Sequence, residues 1–192
     1  MLVEQGHEVV VFDNLRVGLR DNAIHPRIKF VEGSLLSERK LCQLFHSHHF
    51  VGVFHLATIS PYTIDSQNIH YSYQNNITGT FNLLSQMYTT NVNNIIFASS
   101  GLVYGSPTRA KLGVTVPTTP ETPFATANVT IESMLADLNE ANSLSSVSLR
   151  FNTASGVAEN TTFINGTKLP PRAGQAIKSI FTQQRPHLRS PR

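Results

Sequence analysis

The residues whose types and positions could do chemistry stand at the ends of apolar runs. Asp13 closes Val9-Val10-Val11-Phe12 and is followed at once by Asn14. In a dinucleotide-binding sheet, a carboxylate at a strand end accepts hydrogen bonds from ribose hydroxyls. The same Asp-Asn pair reads equally well as a turn former whose side-chain oxygens cap nearby amides. A second run ends in Phe54-His55-Leu56-Ala57-Thr58. Ligands of open α/β sheets lie beyond the carboxyl ends of the strands, so Ala57 and Thr58 are placed to touch one, small residues letting the backbone approach. His55 reads as a hydrogen-bonded core histidine. Ser99 and Ser100 end a third run, where paired hydroxyls either cap the strand or meet a ligand. His46, His48 and His49 have no metal-ligand spacing and no accompanying Cys or carboxylate, so they read as an exposed helix end, and no metal is expected. The single cysteine, Cys42, lies between Leu41 and Leu44 and reads as a small buried hydrophobe, unsuited to nucleophilic attack.

These positions require a scaffold of alternating strands and helices. Strands are predicted at residues 7–12, 27–31, 50–56, 94–99 and 147–151. Helices are predicted at 37–48 with Ser37 as N-cap, at 72–89 and at 125–139. Gly6 is placed as the residue that ends a scrap of helix. Apolar strands separated by helices indicate a parallel sheet covered on both faces. The chain of 192 residues is 40% hydrophobic and 14% charged, enough for one compact core and unlike a disordered tail. A net charge of +3 is too slight to indicate nucleic acid. No apolar run is long enough to span a membrane, and the first residues form no signal peptide. A lone thiol suits a reducing compartment, so a cytoplasmic location is expected. The glycosylation sequons at Asn76, Asn128 and Asn160 are then chance matches. From Ser155 the sequence turns polar and rich in Gly and Pro, with one helical stretch at 173–184. This sets an expected boundary between a sheet domain at 1–154 and a second segment at 155–192.

Two longer motifs are more specific. Asn76-Ile-Thr-Gly-Thr-Phe-Asn-Leu-Leu84 and Phe97-Ala-Ser-Ser-Gly-Leu-Val-Tyr-Gly105 stand in the order and separation found in one family. With Val3-Glu-Gln-Gly-His-Glu-Val-Val-Val-Phe-Asp-Asn-Leu15 and Leu149-Arg-Phe-Asn152, the chain resembles the UDP-glucose 4-epimerases, NAD-dependent epimerase/dehydratases of the extended short-chain dehydrogenase/reductase type. Lys168-Leu-Pro-Pro171, Gln175-Ala-Ile177 and Arg185-Pro-His-Leu188 resemble the start of that family's substrate-binding lobe. The resemblance implies a Rossmann-type doubly wound parallel sheet, NAD as cofactor, and a UDP-sugar substrate. It implies a cofactor side formed by Asp13, Asn14, Leu56, Ala57, Thr58, Asn76 and Ser99. It further implies that Ser100 hydrogen-bonds the sugar hydroxyl undergoing oxidation. Helices 72–89 and 125–139 correspond to those through which such epimerases pair, so a homo- or heterodimer is implied as well.

The pattern breaks where the base should be. The family's Tyr-x-x-x-Lys places both side chains on one helix face, where the lysine and the positively charged nicotinamide lower the phenol's pKa. Counting from Pro123, this sequence has Phe124 and Asn128 at those positions, with Glu132 matching the acid that follows. Phenylalanine accepts no proton and asparagine carries no charge. Ser100 alone is a weak base, and Tyr104 belongs to the structural Val-Tyr-Gly element. The resemblance also leads to the expectation that the first, central strand and its glycine-rich phosphate turn precede Met1 and are missing, leaving a slot between the strands at His7 and Phe50. Ser34 stands where relatives often carry an aspartate near the adenine. The expected activity is therefore that of an epimerase whose catalysis has been lost. The alternatives are a non-catalytic nucleotide- or partner-binding scaffold of the same fold and a non-functional gene fragment.

Overall fold

The computed structural model describes residues 2–16, 26–59, 68–106, 115–141 and 143–151, together with the backbone of 163–164 and 167–168. The helical stretch expected at 173–184 lies outside the described residues. The chain divides into two compact units, Met1–Phe151 and Asn152–Arg192. In the second, the described elements are a short antiparallel pair, Phe163–Ile164 with Thr167–Lys168.

Among its described residues the first unit carries five strands: β1 (Val9–Asp13), β2 (Ile28–Glu32), β3 (Val53–His55), β4 (Asn94–Ser100) and β5 (Ser145–Phe151). Four α-helices separate them: α1 (Glu38–Ser47), α2 (Ile69–Tyr73), α3 (Gly79–Thr89) and α4 (Pro123–Glu140). Every pairing in this unit is parallel, β1 with β2 and β3-β4-β5 in that order. The expected α/β architecture is present, and the sheet is split in two between β1 and β3. Among the described residues no strand lies in that split.

Local chemistry accounts for the helix ends. The Ser37 side chain accepts from the Lys40 amide and starts α1, and Asn68 does the same for α2 from Tyr71 N–H. At α4, Thr122 caps the Ala125 amide, with Pro123 in the first turn where its missing N–H costs nothing. Residues 2–6 form a turn instead of the expected helix end, and Gly6, at φ +89°, supplies the left-handed residue that closes it. The single helix expected over 72–89 begins at Ile69 and is interrupted by a π-helical turn, Gln74–Thr78. Such turns are inserted where a helix must re-aim its side chains.

The core explains both the alternation in the strands and one correction. Leu41, Leu44 and Phe45 of α1 pack with Leu83, Leu84 and Met87 of α3, Ile95 and Phe97 of β4, and Ile131 and Leu135 of α4. Cys42 was expected inside and is exposed. The apolar stripe of α1 runs through 41, 44 and 45, and position 42 turns away from it by one residue's rotation. The sheet was expected to be covered on both faces, and the described helices contribute their buried residues to one. On the opposite face, Phe54 stands 54% exposed beside register partners Ile96 and Val147, the last 51% exposed. Leu149, two residues further along β5, is also exposed.

Candidate functional site

The carboxyl ends of β1 and β3 open onto a cavity of about 170 Å3 lined by Phe12, Asp13, Asn14, Arg16, Ser34, Leu56, Ala57 and Thr58, among others. The sequence-predicted residues Asp13, Asn14, Leu56, Ala57 and Thr58 are therefore brought together, and Ser34 joins them. Asp13 Oδ1 accepts from the Leu15 amide at 2.6 Å, and Asn14 Oδ1 accepts from Arg16 N–H at 3.1 Å. The turn reading of this pair is realised, and it does not exhaust the site. A carboxylate offers about four acceptor positions, so one bond to Leu15 leaves acceptor capacity for a ligand hydroxyl. Leu15 is held at φ +55° by this arrangement, a conformation that costs a branched residue energy and that clusters at ligand clamps. Gly33 lines the same cavity, and any Cβ there would overlap the Phe12 ring.

Asn76 does not line the cavity; it shapes the wall. Only 1% exposed, it accepts from Ile59 N–H at 2.7 Å and donates to Ile59 O at 3.2 Å. Its neighbour Asn75 donates to Ala57 O and to Asn76 Oδ1. The π-turn thus aims two consecutive amides at the loop that follows β3. His55, buried as expected, meets Thr80 Oγ1 at 2.7 Å. The Thr80 hydroxyl donates to Asn76 O, so the imidazole must supply the proton from Nε2. Burial pushes the His55 pKa down to about 4 and keeps it neutral.

The second group of predicted residues lies apart from the cavity. Ser99 donates its hydroxyl to Glu132. Glu132 also receives Arg150 in a forked ion pair, with Nε 3.1 Å from both carboxylate oxygens. Arg150 Nη1 then reaches the Tyr104 hydroxyl at 2.7 Å. The hydrogen bonds that Arg150 donates to the Glu132 carboxylate, more than anything else, raise the Arg150 pKa above its ordinary value. This network joins β4, α4, β5 and the 3-10 turn Gly101–Tyr104. Ser100 Oγ accepts from Leu102 N–H and caps that turn. Phe124 is half-buried. Asn128 is fully buried, and among the described residues neither its Nδ2 nor its Oδ1 finds a hydrogen-bond partner. Sequence reasoning missed Asn75, Arg16 and Tyr71. Arg16 stacks on the Tyr71 ring at 4.6 Å, and both line the cavity. The Asn75-Asn76 doublet was the available signal for the first, whereas nothing local marks a cation–π pair 55 residues apart in sequence. No group of three potential metal ligands occurs among the described residues.

Parallel strands whose carboxyl ends converge on a cavity, with an acid after one strand and small residues after the next, define a Rossmann-type nucleotide-binding domain. The family model described as the NAD dependent epimerase/dehydratase family matches residues 1–181, and the chain belongs to that family. It is 34% identical to UDP-glucose 4-epimerase of Halalkalibacterium halodurans over 83% of this chain and 47% of that one. It is 31% identical to UDP-glucose 4-epimerase of Erwinia amylovora over 83% of this chain and 50% of that one. Among solved structures, UDP-glucose 4-epimerase from Brucella ovis in complex with NAD superposes with a TM-score of 0.76 and 34% identity, over 83% of this chain and 48% of that one. The chain spans about half the length of the curated relatives it matches.

Proposed function

We propose that this chain is an epimerase-type nucleotide-binding domain that holds the adenosine end of NAD and does not turn over a UDP-sugar. The reading is supported on α4, where the resemblance matches Phe124 and Asn128 to the family's tyrosine and lysine, and where Asn128 is buried with no partner among the described residues.

The residues present fit one end of the cofactor. The cavity joins an acceptor for ribose hydroxyls to small residues that let a ligand approach, which suits the adenosine end of a dinucleotide. Asp13 supplies the acceptor for the ribose hydroxyls, and Ala57 and Thr58 allow the close approach. Asn75 and Asn76 hold that loop in place through Ala57 O and Ile59. When bound in an active relative, the nicotinamide supplies the hydride acceptor. In this chain Phe124 cannot remove the hydroxyl proton, and Asn128 brings no charge to make any neighbour a better base. Ser100 remains as a hydrogen-bonding group for a sugar hydroxyl.

Purified protein incubated with UDP-galactose and NAD is expected to form no UDP-glucose above background. Conversion that Ser100→Ala abolishes would overturn the proposal. Titration calorimetry with NAD is expected to give weak heat that Asp13→Ala removes.

A second reading is supported by α3, where Phe81 is 59% and Tyr88 73% exposed, one heptad apart. Two aromatic side chains on one helix face suit pairing with another chain, either a copy or an intact relative. In that reading the fold serves as a scaffold. Sedimentation of the chain alone and with an intact epimerase, compared with Phe81→Ser, tests it.

A further inference from the structure

Two features of the cavity at the ends of β1 and β3 decide what it can select. The first is where its polar side chains are directed. Asp13 Oδ1 accepts from Leu15 N–H and Asn14 Oδ1 from Arg16 N–H. Ser34 Oγ accepts from Leu36 N–H at 3.2 Å. Asn75 Nδ2 donates to Ala57 O and to Asn76 Oδ1. These bonds shape the wall, so much of the hydrogen-bonding capacity of the lining side chains is turned toward the protein itself.

The second feature is a pair of flat groups. The Arg16 guanidinium lies over the Tyr71 ring, 4.6 Å from its centroid, and both residues line the cavity. Each is positioned by its own backbone. Arg16 follows Leu15 at φ +55° and gives its N–H to Asn14. Tyr71 stands in the first turn of α2, where the Asn68 cap accepts its N–H at 3.0 Å. A guanidinium laid on a ring uses one face in that contact, and its second face is a planar surface of the same kind. Such a surface meets a nucleobase by stacking, which every base can offer. Telling one base from another needs donors and acceptors aimed at the base edge.

We propose that Arg16, backed by Tyr71, is a stacking platform for the nucleobase, so that the cavity selects a ribonucleotide by its sugar and accepts more than one base. The selection of the sugar falls to Asp13, which keeps acceptor positions beyond its bond to Leu15. Phe12 and Leu35 line the same cavity and give the base apolar contact without reading its edge. The proposal rests on the nucleotide-binding reading above and widens it, with NAD as one ligand of a larger class.

Chemical-shift titrations of the full chain with AMP, GMP, UMP and ribose 5-phosphate test it. AMP and GMP are expected to bind within about threefold of each other and UMP within about tenfold, all more tightly than ribose 5-phosphate. Arg16 is exposed, so Arg16→Gln spares the core. That variant is expected to bind all three nucleotides about tenfold more weakly and ribose 5-phosphate as the parent does. Tyr71→Phe keeps the ring and is expected to keep the affinities, whereas Tyr71→Ala should weaken them by about threefold or more. A preference for AMP of more than about tenfold over GMP or UMP overturns the proposal and leaves the nucleotide reading standing. An equal loss for ribose 5-phosphate in Arg16→Gln assigns the guanidinium to the phosphate, and unchanged nucleotide affinities remove it from the site. Either result refutes the platform. Binding of no nucleotide by the parent removes the nucleotide reading itself, and the proposal with it.

Discussion

Replacing Asn128 with leucine should stabilise the protein, the opposite of what a buried asparagine usually does when mutated. An amide buried without a partner carries a desolvation cost of about 1–3 kcal/mol. Both polar atoms of Asn128 are in that condition on a side chain with no exposure. Leucine has the same branching at Cγ, so Asn128→Leu exchanges the amide for two methyl groups in nearly the same outline. It also gains about 0.5 kcal/mol of helix propensity within α4. Against this stands crowding, because the methyl groups are larger, and overpacking costs about 1 kcal/mol at its lower end. The balance is a gain of about 1 kcal/mol, or about 2–4 °C in Tm for a domain of this size. Asn128→Ala is the companion variant. It removes the same unpaired atoms but leaves a small void, and should fall within about 1 kcal/mol of the parent. Urea melts of the two variants beside the parent give the comparison. A loss of more than about 1 kcal/mol in Asn128→Leu would show that the amide has a partner in the folded protein, and the argument from α4 would fail.

Three further outcomes follow from buried polar groups. Burial lowers the His55 pKa to about 4 from an unfolded value near 6.5, so the neutral ring is favoured by folding. Its contribution is complete above pH 6.5 and is lost as pH falls toward 4. Urea melts at pH 7 and pH 4 should show the parent losing about 3 kcal/mol more than His55→Gln. The Arg150 and Glu132 side chains are 22% and 11% exposed, too enclosed for solvent to screen the pair fully. A double-mutant cycle with Glu132→Gln and Arg150→Met should return a coupling of about 1–2 kcal/mol, and a value near zero would reduce the pair to a surface contact. Asn76→Ala leaves Ile59 N–H and O without their side-chain partner and should cost about 1–3 kcal/mol. It should also speed amide exchange at Ile59, with no change at β5.

What could be read from the sequence depended on how local the cause was. Ser37 announces its role through short-range chemistry, and α1 begins at the expected cap. Asp13, Asn14, Ala57 and Thr58 were legible because strand ends in a parallel sheet converge whatever the side chains are. Cys42 was misread because flanking leucines were taken as its environment, when rotation along α1 puts only positions 41, 44 and 45 inside. The π-turn was invisible because an inserted residue leaves the composition of a helix unchanged and alters only its phase. Its effect is to aim Asn75 and Asn76 together at the loop after β3, which no periodicity expresses.

The two groups of site residues then differ in a way that motif matching alone would not separate. Asp13, Ala57 and Thr58 keep a wall of the cavity, and the asparagines that brace it bond to Ala57 O, Ile59 N–H and Ile59 O. In the proposed reading the change of function lies in the α4 group. Ser99 donates to Glu132, Ser100 Oγ accepts from its turn and keeps its proton to donate, Glu132 holds Arg150, and both polar atoms of Asn128 lack a partner among the described residues. An active pair at 124 and 128 would need a charge at 128, one helical turn from Glu132. The resemblance matches Glu132 and Arg150 to positions that accompany the family's lysine, so their ion pair does not itself exclude a cation at 128. The proposed loss of proton chemistry rests on Phe124 and Asn128 themselves: the first offers no proton acceptor and the second no charge.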